Sequence, residues 1–227
     1  SYPRLEQKTL ATPWGIKPDS FSSDKAWRKE AKSILKINPE QKVLLSVRGI
    51  FWYYQPERVL SMLSEVAEQE PETTVLVLTL EHERTQRVEE LLNQLRQYDN
   101  VKIIDSLLSP DKMKTIWAAA DFFISCPLFD GVSESVQEGC AARAIPIVNS
   151  IPSNNELIES GMQAFTVNPS DNPQDFADEV QAILNKPEST LENMRSHNWE
   201  WVNKYGNVEN TVQRLIRFFE KLIKKAS

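Results

Sequence analysis

Cysteine and histidine are scarce, with two of each among 227 residues. Cys126 falls on an apolar run and Cys140 on the helix predicted after it, and the pair has neither metal-ligand nor redox-motif spacing. Reduced, buried thiols in a cytoplasmic protein are the expectation. Charge of one sign never gathers into a block, and the net charge of -6 is spread over both signs along the chain. That argues against a nucleic-acid surface and against a strongly basic membrane patch. No apolar run approaches the roughly 20 residues that a membrane span requires, and no secretory leader is expected. A G-x-G-x-x-G is also missing after the first predicted strand, which counts against a conventional nicotinamide dinucleotide enzyme. Glu81-His82-Glu83-Arg84 reads as a charged helix start and not as a metal cluster, because no second histidine lies near it in sequence.

What the chain does have is a regular alternation of apolar runs and amphipathic stretches. Strands are predicted over 42–47, 74–80, 101–104, 122–126, 145–148 and 164–167, most of them continuous enough to be covered on both faces. Helices are predicted over 24–35, 56–69, 87–98, 172–184, 190–205 and 208–225, with two more starting at 109–110 and at 133–135. Ser109-Pro110-Asp111 is a helix start in good order, with Ser as N-cap, Pro at the first helical position and an acid in the first turn. In the first helix Ala26, Trp27, Ala31, Ile34 and Leu35 are expected on the buried side. The fold class that follows is α/β: a Rossmann-like, doubly wound, mostly parallel six-stranded sheet with helices on both faces and C-terminal helices.

The stretch 121–156, DFFISCPLFDGVSESVQEGCAARAIPIVNSIPSNNE, organises the rest. A strand runs into a turn holding Asp130, Gly131 and Val132, and a helix then begins near Ser133 to Ser135, past Glu134, and carries Glu138. A helix N-terminus presents unpaired amides and the positive end of its dipole, so it favours a phosphate. A carboxylate farther along the same helix repels phosphate and prefers hydroxyl donors. An anion site flanked by two acids suits a ligand that carries both phosphate and sugar hydroxyls.

Asp130-Gly131-Val132-Ser133-Glu134-Ser135-Val136-Gln137-Glu138 resembles the signature of the family 4, GT-B type, retaining glycosyltransferases, in its D-G-x-S-x-S-x-x-E form. The stretch from Ala141 to Val148 is similar to the family's A-x-G-x-P-V segment, with Ala144 expected where a glycine would be common. Gly139-Cys140 replaces the usual Ala-Met. Asn155-Glu156-Leu157-Ile158 resembles the turn that follows, Thr12-Pro13-Trp14-Gly15-Ile16-Lys17-Pro18-Asp19 the loop by which the chain arrives from the other domain, and Asn198-Trp199-Glu200 an F-x-W segment. Trp14 is alternatively a packing plug on a surface turn.

The resemblance implies several expectations. Residues 1–23 form a lead-in from a missing N-terminal acceptor-binding domain, and 24–227 form the donor-binding domain. Asp130, Glu138 and Arg48 are the catalytic set: Asp130 accepts from the donor hexose, Glu138 from the ribose hydroxyls, and Arg48 holds the diphosphate. Gly131, Val132, Ser133, Glu134, Ser135 and Leu107 bind the donor, a UDP- or GDP-sugar. No metal and no further cofactor is implied. The implied partners are the nucleotide-sugar and the missing domain, through which peripheral membrane association is open; no nucleic acid is implied. The family also places a lysine about five residues after the arginine, whereas Ile50-Phe51-Trp52-Tyr53-Tyr54 has none. Loss of that contact weakens a diphosphate site by about 1.5–3 kcal/mol. Tyrosine hydroxyls would replace part of it, or donor binding is weak or lost and the domain is a Rossmann-like binding or interaction module without transferase activity.

Strand order 3-2-1-4-5-6 would put strands one and four side by side at the switch point, where open sheets bind ligands. Arg48 follows strand one and the acids follow strand four. The expectation is that they share one crevice.

Overall fold

The computed structural model describes residues 9–10, 12–21, 24–80, 84–169 and 172–226. Within them, strands β1 (Lys42–Ser46), β2 (Thr73–Leu78), β3 (Val101–Ile104), β4 (Phe122–Ser125), β5 (Ile145–Asn149) and β6 (Phe165–Val167) form one sheet in the order β3-β2-β1-β4-β5-β6. All five pairings are parallel. α1 (Lys25–Ile34) precedes β1, and the long crossovers that parallel neighbours need are supplied by α2 (Pro56–Gln69), α3 (Gln86–Leu95), α4 (Pro110–Ala119), α5 (Glu134–Ala141) and α6 (Pro152–Glu159), with α7 (Pro173–Leu184), α8 (Glu188–Tyr205) and α9 (Val208–Ala226) closing the chain. None of the described helices is long and apolar enough to cross a membrane.

The two faces of the sheet follow from the two-residue period of a strand. Val43, Leu45, Leu76 and Phe123 face a layer containing Trp117 of α4, Val136 and Cys140 of α5, Leu157 of α6 and Val202 of α8. Leu44, Val75, Phe122 and Ile145 face the other layer, with Leu63 of α2, Leu92 of α3 and Phe176 and Val180 of α7. Both cysteines are buried and free. Burial pushes the Cys126 thiol up to about 12, against a weaker lowering by the Asn149 backbone, and raises Cys140 further.

Several expectations need correction. In α1, Ile34 is exposed at 56% and Ala26 is also exposed, while Ala31 and Lys32 are buried. The helix is turned so that Arg28 and Lys32 reach Asp121 at the start of β4, at 3.0 and 2.8 Å. Asp121 also accepts from the Val43 amide at 3.0 Å, and Arg28 donates to the carbonyls of Ala142 and Arg143. A buried carboxylate without cations is far costlier than an exposed isoleucine, so the charges decide which face turns inward.

The left-handed residue after α5 is Arg143, with φ of 59°. The Ala144 amide donates to the Gly139 carbonyl and the Arg143 amide to that of Cys140, the paired bonds of a Schellman ending. Arg143 therefore occupies the position where glycine is easiest. Gly139 itself is required by packing, since a Cβ there would sit 2.4 Å from the Phe123 ring.

Asn155 to Ile158 are helical and belong to α6; they are not a turn. Strand β2 stops at Leu78, and Leu80 already has a left-handed φ of 57°. Trp14 is 79% exposed, so it plugs nothing among the described residues. Its neighbour Ile16 is clipped to the α8–α9 junction by bonds from its amide to the Gly206 carbonyl (2.7 Å) and from the Val208 amide to its own carbonyl (2.8 Å). Gly15, at φ 79°, lies so close that a Cβ would meet Val208 backbone at 2.8 Å. Residues 1–8 of the lead-in and Glu81 to Glu83 lie outside the described residues.

Helix α9 keeps a stripe of apolar side chains in solvent. Val212, Ile216, Phe219 and Ile223 are 44–69% exposed, and their spacing puts them on one side of the helix.

Candidate functional site

β1 and β4 are adjacent, with Ser46 level with Ile124, so the residues just past their ends meet. Arg48 is two residues beyond β1, and its guanidinium gathers the site. Nε donates to Ser125 Oγ at 3.0 Å, Nη2 to the Asp130 carboxylate at 2.5 Å and also to Ser133 Oγ. Nη1 reaches the Tyr54 hydroxyl at 3.4 Å, and the guanidinium lies 4.9 Å from the centre of the Tyr54 ring. Arg48 and Asp130, 82 residues apart in sequence, form an ion pair whose side chains are only 13% and 20% exposed.

Asp130 is also held by the Gly131 amide at 2.9 Å. Ser133 is the N-cap of α5, taking the Val136 amide on its hydroxyl at 3.3 Å. The first bond from a later amide to its carbonyl comes from Gln137, so the amides of Glu134 and Ser135 belong to the unbonded first turn. Gly131 and Glu134 are exposed, and Val132 and Ser135 are half-buried. Open space surrounds Gly131, where an added Cβ would meet nothing within 4 Å. The turn presents backbone to solvent at the positive end of a helix, next to a guanidinium.

Glu138 lies just past the first turn of α5, half-buried, and its Oε2 accepts from the Trp117 indole N–H of α4 at 3.0 Å. Burial raises its pKa above the ordinary glutamate value, the Trp117 bond lowers it, Glu134 raises it and Arg48 lowers it, with a net rise. Leu107, on the loop between β3 and α4, is 74% exposed, and none of the hydrogen bonds just described involves it.

The loop carrying Asp130 is braced from three sides. Gln55 donates to the Cys126 carbonyl at 2.9 Å, Asn149 to that of Pro127 at 2.7 Å, and the Leu128 amide to that of Tyr53 at 2.7 Å. Gln55 itself has a left-handed φ of 53°, the turn that starts α2. Tyr54 is one of the two tyrosines offered in place of the missing lysine, whereas Ser125, Trp117, Gln55 and Asn149 were not singled out as site residues in the sequence. Strand order offers a signal for Ser125, the last residue of β4 and neighbour to the end of β1; Trp117 offers only its apolar helix position, which marks it as core. Among the described residues, no group of three or more His, Cys, Asp or Glu is arranged to hold a metal ion.

The profile of the family described as glycosyl transferases group 1 matches residues 28–200, a span that contains the whole crevice. The chain belongs to the glycosyl transferases group 1 family. Solved structures of similar fold include Anabaena HepE in complex with UDP-glucose (14% identity, TM-score 0.74, 91% of this chain and 56% of that one). A glycosyltransferase from Rickettsia africae aligns with TM-score 0.75 at 15% identity, over 92% of this chain and 56% of that one. Sucrose-phosphate synthase from Thermosynechococcus elongatus gives 0.74 at 15%, over 94% and 52%. At these identities the likeness is one of fold. This group 1 domain spans about half the length of each of these proteins. No curated protein matches the sequence.

Proposed function

We propose that the chain is the donor-binding half of a retaining, family 4 glycosyltransferase, taking a hexose from a UDP- or GDP-sugar for transfer to a sugar, lipid or other acceptor. The observation that carries this reading is the meeting of Arg48, Asp130 and Ser133 over the open first turn of α5. HepE, which shares the fold, was solved with UDP-glucose. Bonds from Gly131, Val132, Ser133, Glu134 and Ser135 backbone and from Arg48 would hold the diphosphate, with the base against Leu107. Glu138 would take the ribose hydroxyls and Asp130 those of the hexose. Negative charge grows on the leaving phosphate as the glycosidic bond breaks, and a guanidinium with aligned amides stabilises it there without a metal.

The Arg48–Asp130 pair gives this binding a defined order of events. A diphosphate competes for Arg48, and a carboxylate that loses its cation is left to accept from sugar hydroxyls while keeping the Gly131 amide. Donor arrival therefore exchanges one ion pair for another and frees Asp130 for the hexose. The acceptor site and the closing half of the cleft would come from an N-terminal domain, with 1–23 as the connection, so the domain by itself would bind donor without turning it over. A cytoplasmic location, with any membrane association made through the other domain, completes the proposal.

Calorimetric titration with UDP and GDP tests it. One of the two nucleotides is expected to bind, with Arg48→Ala weakening the complex about 10- to 100-fold, the size of a charge-assisted contact, and Glu138→Ala also weakening it. A second reading, a Rossmann-like module without the chemistry, draws on two observations: residues 50–54 supply no lysine, and Arg48 already has Asp130 as its counter-ion. No binding of either nucleotide, with no difference on Glu138→Ala, favours that second reading.

A further inference from the structure

At the end of the sheet away from the crevice, where β1 and β4 begin, lies a polar groove of about 650 Å³, a volume in the range of small-molecule sites. Its walls are α1, the loop that leads into β1, Arg143 at the end of α5 and the first two turns of α8. They carry seven cations and five acids, a local excess of positive charge on a chain whose net charge is -6. Helix α8 opens at the groove's edge without a side-chain cap, so its first amides and the positive end of its dipole add to that excess.

The acids answer the cations unevenly. Asp121 is shared by Arg28 and Lys32, and Glu192 by Arg143 and Arg195. Arg195 is only 5% exposed, and its Nη1 is divided between Glu188 at 2.6 Å and Glu192 at 3.4 Å while its Nε finds no acceptor. The Nε of Arg143 finds none either. Burial lowers the Arg28 pKa, Asp121 raises it and the charge of Arg195 lowers it again, so these two guanidinia stand close enough to oppose each other.

We propose that this groove is a second ligand site, separate from the donor crevice, and that it takes a small phosphate monoester bearing hydroxyls, a sugar phosphate in chemical class. The proposal does not depend on the donor reading above. A phosphate dianion placed among Arg28, Arg143 and Arg195 relieves their opposition, and two of its oxygens suit the paired N–H groups of a guanidinium. Once Arg195 turns off Glu188, its Nε and an Nη answer such a pair together. The rim acids define the other part of the ligand. The side chains of Glu40 and Glu188 are 77% and 70% exposed, and carboxylates there accept from hydroxyls but repel further phosphates. A nucleic-acid strand would bring its next phosphates against those acids, and a neutral sugar would leave the guanidinia unanswered.

The test uses the full chain with 5-fluorotryptophan at its six tryptophans. Trp199 is the reporter, because the Arg143 guanidinium lies 5.6 Å from the centre of its ring. Trp52, whose ring meets Phe129 beside Asp130 at 5.7 Å, reports on the crevice end. Each line is assigned by its loss in the corresponding Trp→Phe variant. Glucose 6-phosphate, inorganic phosphate and glucose are titrated, with affinities measured by calorimetry. Glucose 6-phosphate is expected to move the Trp199 line saturably with the Trp52 line in place, and to bind at least about threefold tighter than inorganic phosphate. Arg195→Gln is expected to weaken it about tenfold, the loss of one charge-assisted contact. Because Arg195 also ties down the start of α8, Arg143→Gly supplies a second variant. Position 143 has a φ of 59°, which glycine adopts freely, so the guanidinium is removed while the backbone keeps its path. A loss of about three- to tenfold is expected there as well. A Trp199 line that glucose 6-phosphate leaves in place, or movement of the Trp52 line alone, overturns the proposal. So does undiminished binding by Arg143→Gly. Equal affinity for inorganic phosphate, or an equal response to glucose, overturns the assignment to a sugar phosphate.

Discussion

Glu138 is held against the Trp117 indole at a depth where burial opposes its charge. Its folded pKa lies above that of an unfolded glutamate, about 4.3. As pH rises past the unfolded value the unfolded chain gives up this proton first, so stability falls through the window up to the folded value and stays lower at neutral pH. Glu138→Gln keeps an acceptor for Trp117 and removes the charge. The variant is therefore expected to melt higher than the parent at pH 7, with the gain disappearing near pH 4, while nucleotide binding weakens. Thermal unfolding at the two pH values checks it. A residue that destabilises its own fold at working pH is a common mark of a functional position. Asp130 and Glu138 were both legible from their spacing, because a helix start fixes what its own next residues can face. Ser125, which holds Arg48, and Trp117, which holds Glu138, were not, because each arrives from a different element.

Helix α5 shows how closely an element answers to its neighbour. Phe123 of β4 fills the space where a side chain at position 139 would go, and it stacks edge-on with Trp117 at 5.2 Å. Gly139→Ala would improve helix propensity by about 1 kcal/mol yet forces the ring to move. Overpacking of this kind costs about 1–3 kcal/mol, so the net effect is expected to be destabilising, and Phe123→Leu in the same chain should recover part of it. Urea unfolding of the single and double variants measures both. Most elements could be read from local signals, Ser109-Pro110 for α4 and Pro56 for α2 among them. The rotation of α1 could not, because its amphipathic pattern offered an apolar face with Ile34 while a buried acid 89 residues from Lys32 demanded the charged one.

For the molecule as a whole, Asp121 is a joint: it receives α1 through Arg28 and Lys32 and β1 through the Val43 amide. Removing it leaves the buried Lys32 and the half-buried Arg28 without this counter-ion, and Asp121→Ala is expected to lose about 3–5 kcal/mol in urea unfolding, far more than a surface acid such as Asp111. The apolar stripe of α9 belongs to this scale too, since its covering lies on no element of the described chain.

Sequence by itself determined the alternation of strands and helices, the capped start of α4, the helix start after β4 and the two acids around it, because periodicity, caps and turn chemistry act within a few residues. Tertiary structure alone decided that Arg48 spends its charge on Asp130 and that Arg143 takes the left-handed turn. Those outcomes depend on which strand ends become neighbours, and a sheet that reverses its order between β1 and β4 brings together residues that no local signal connects.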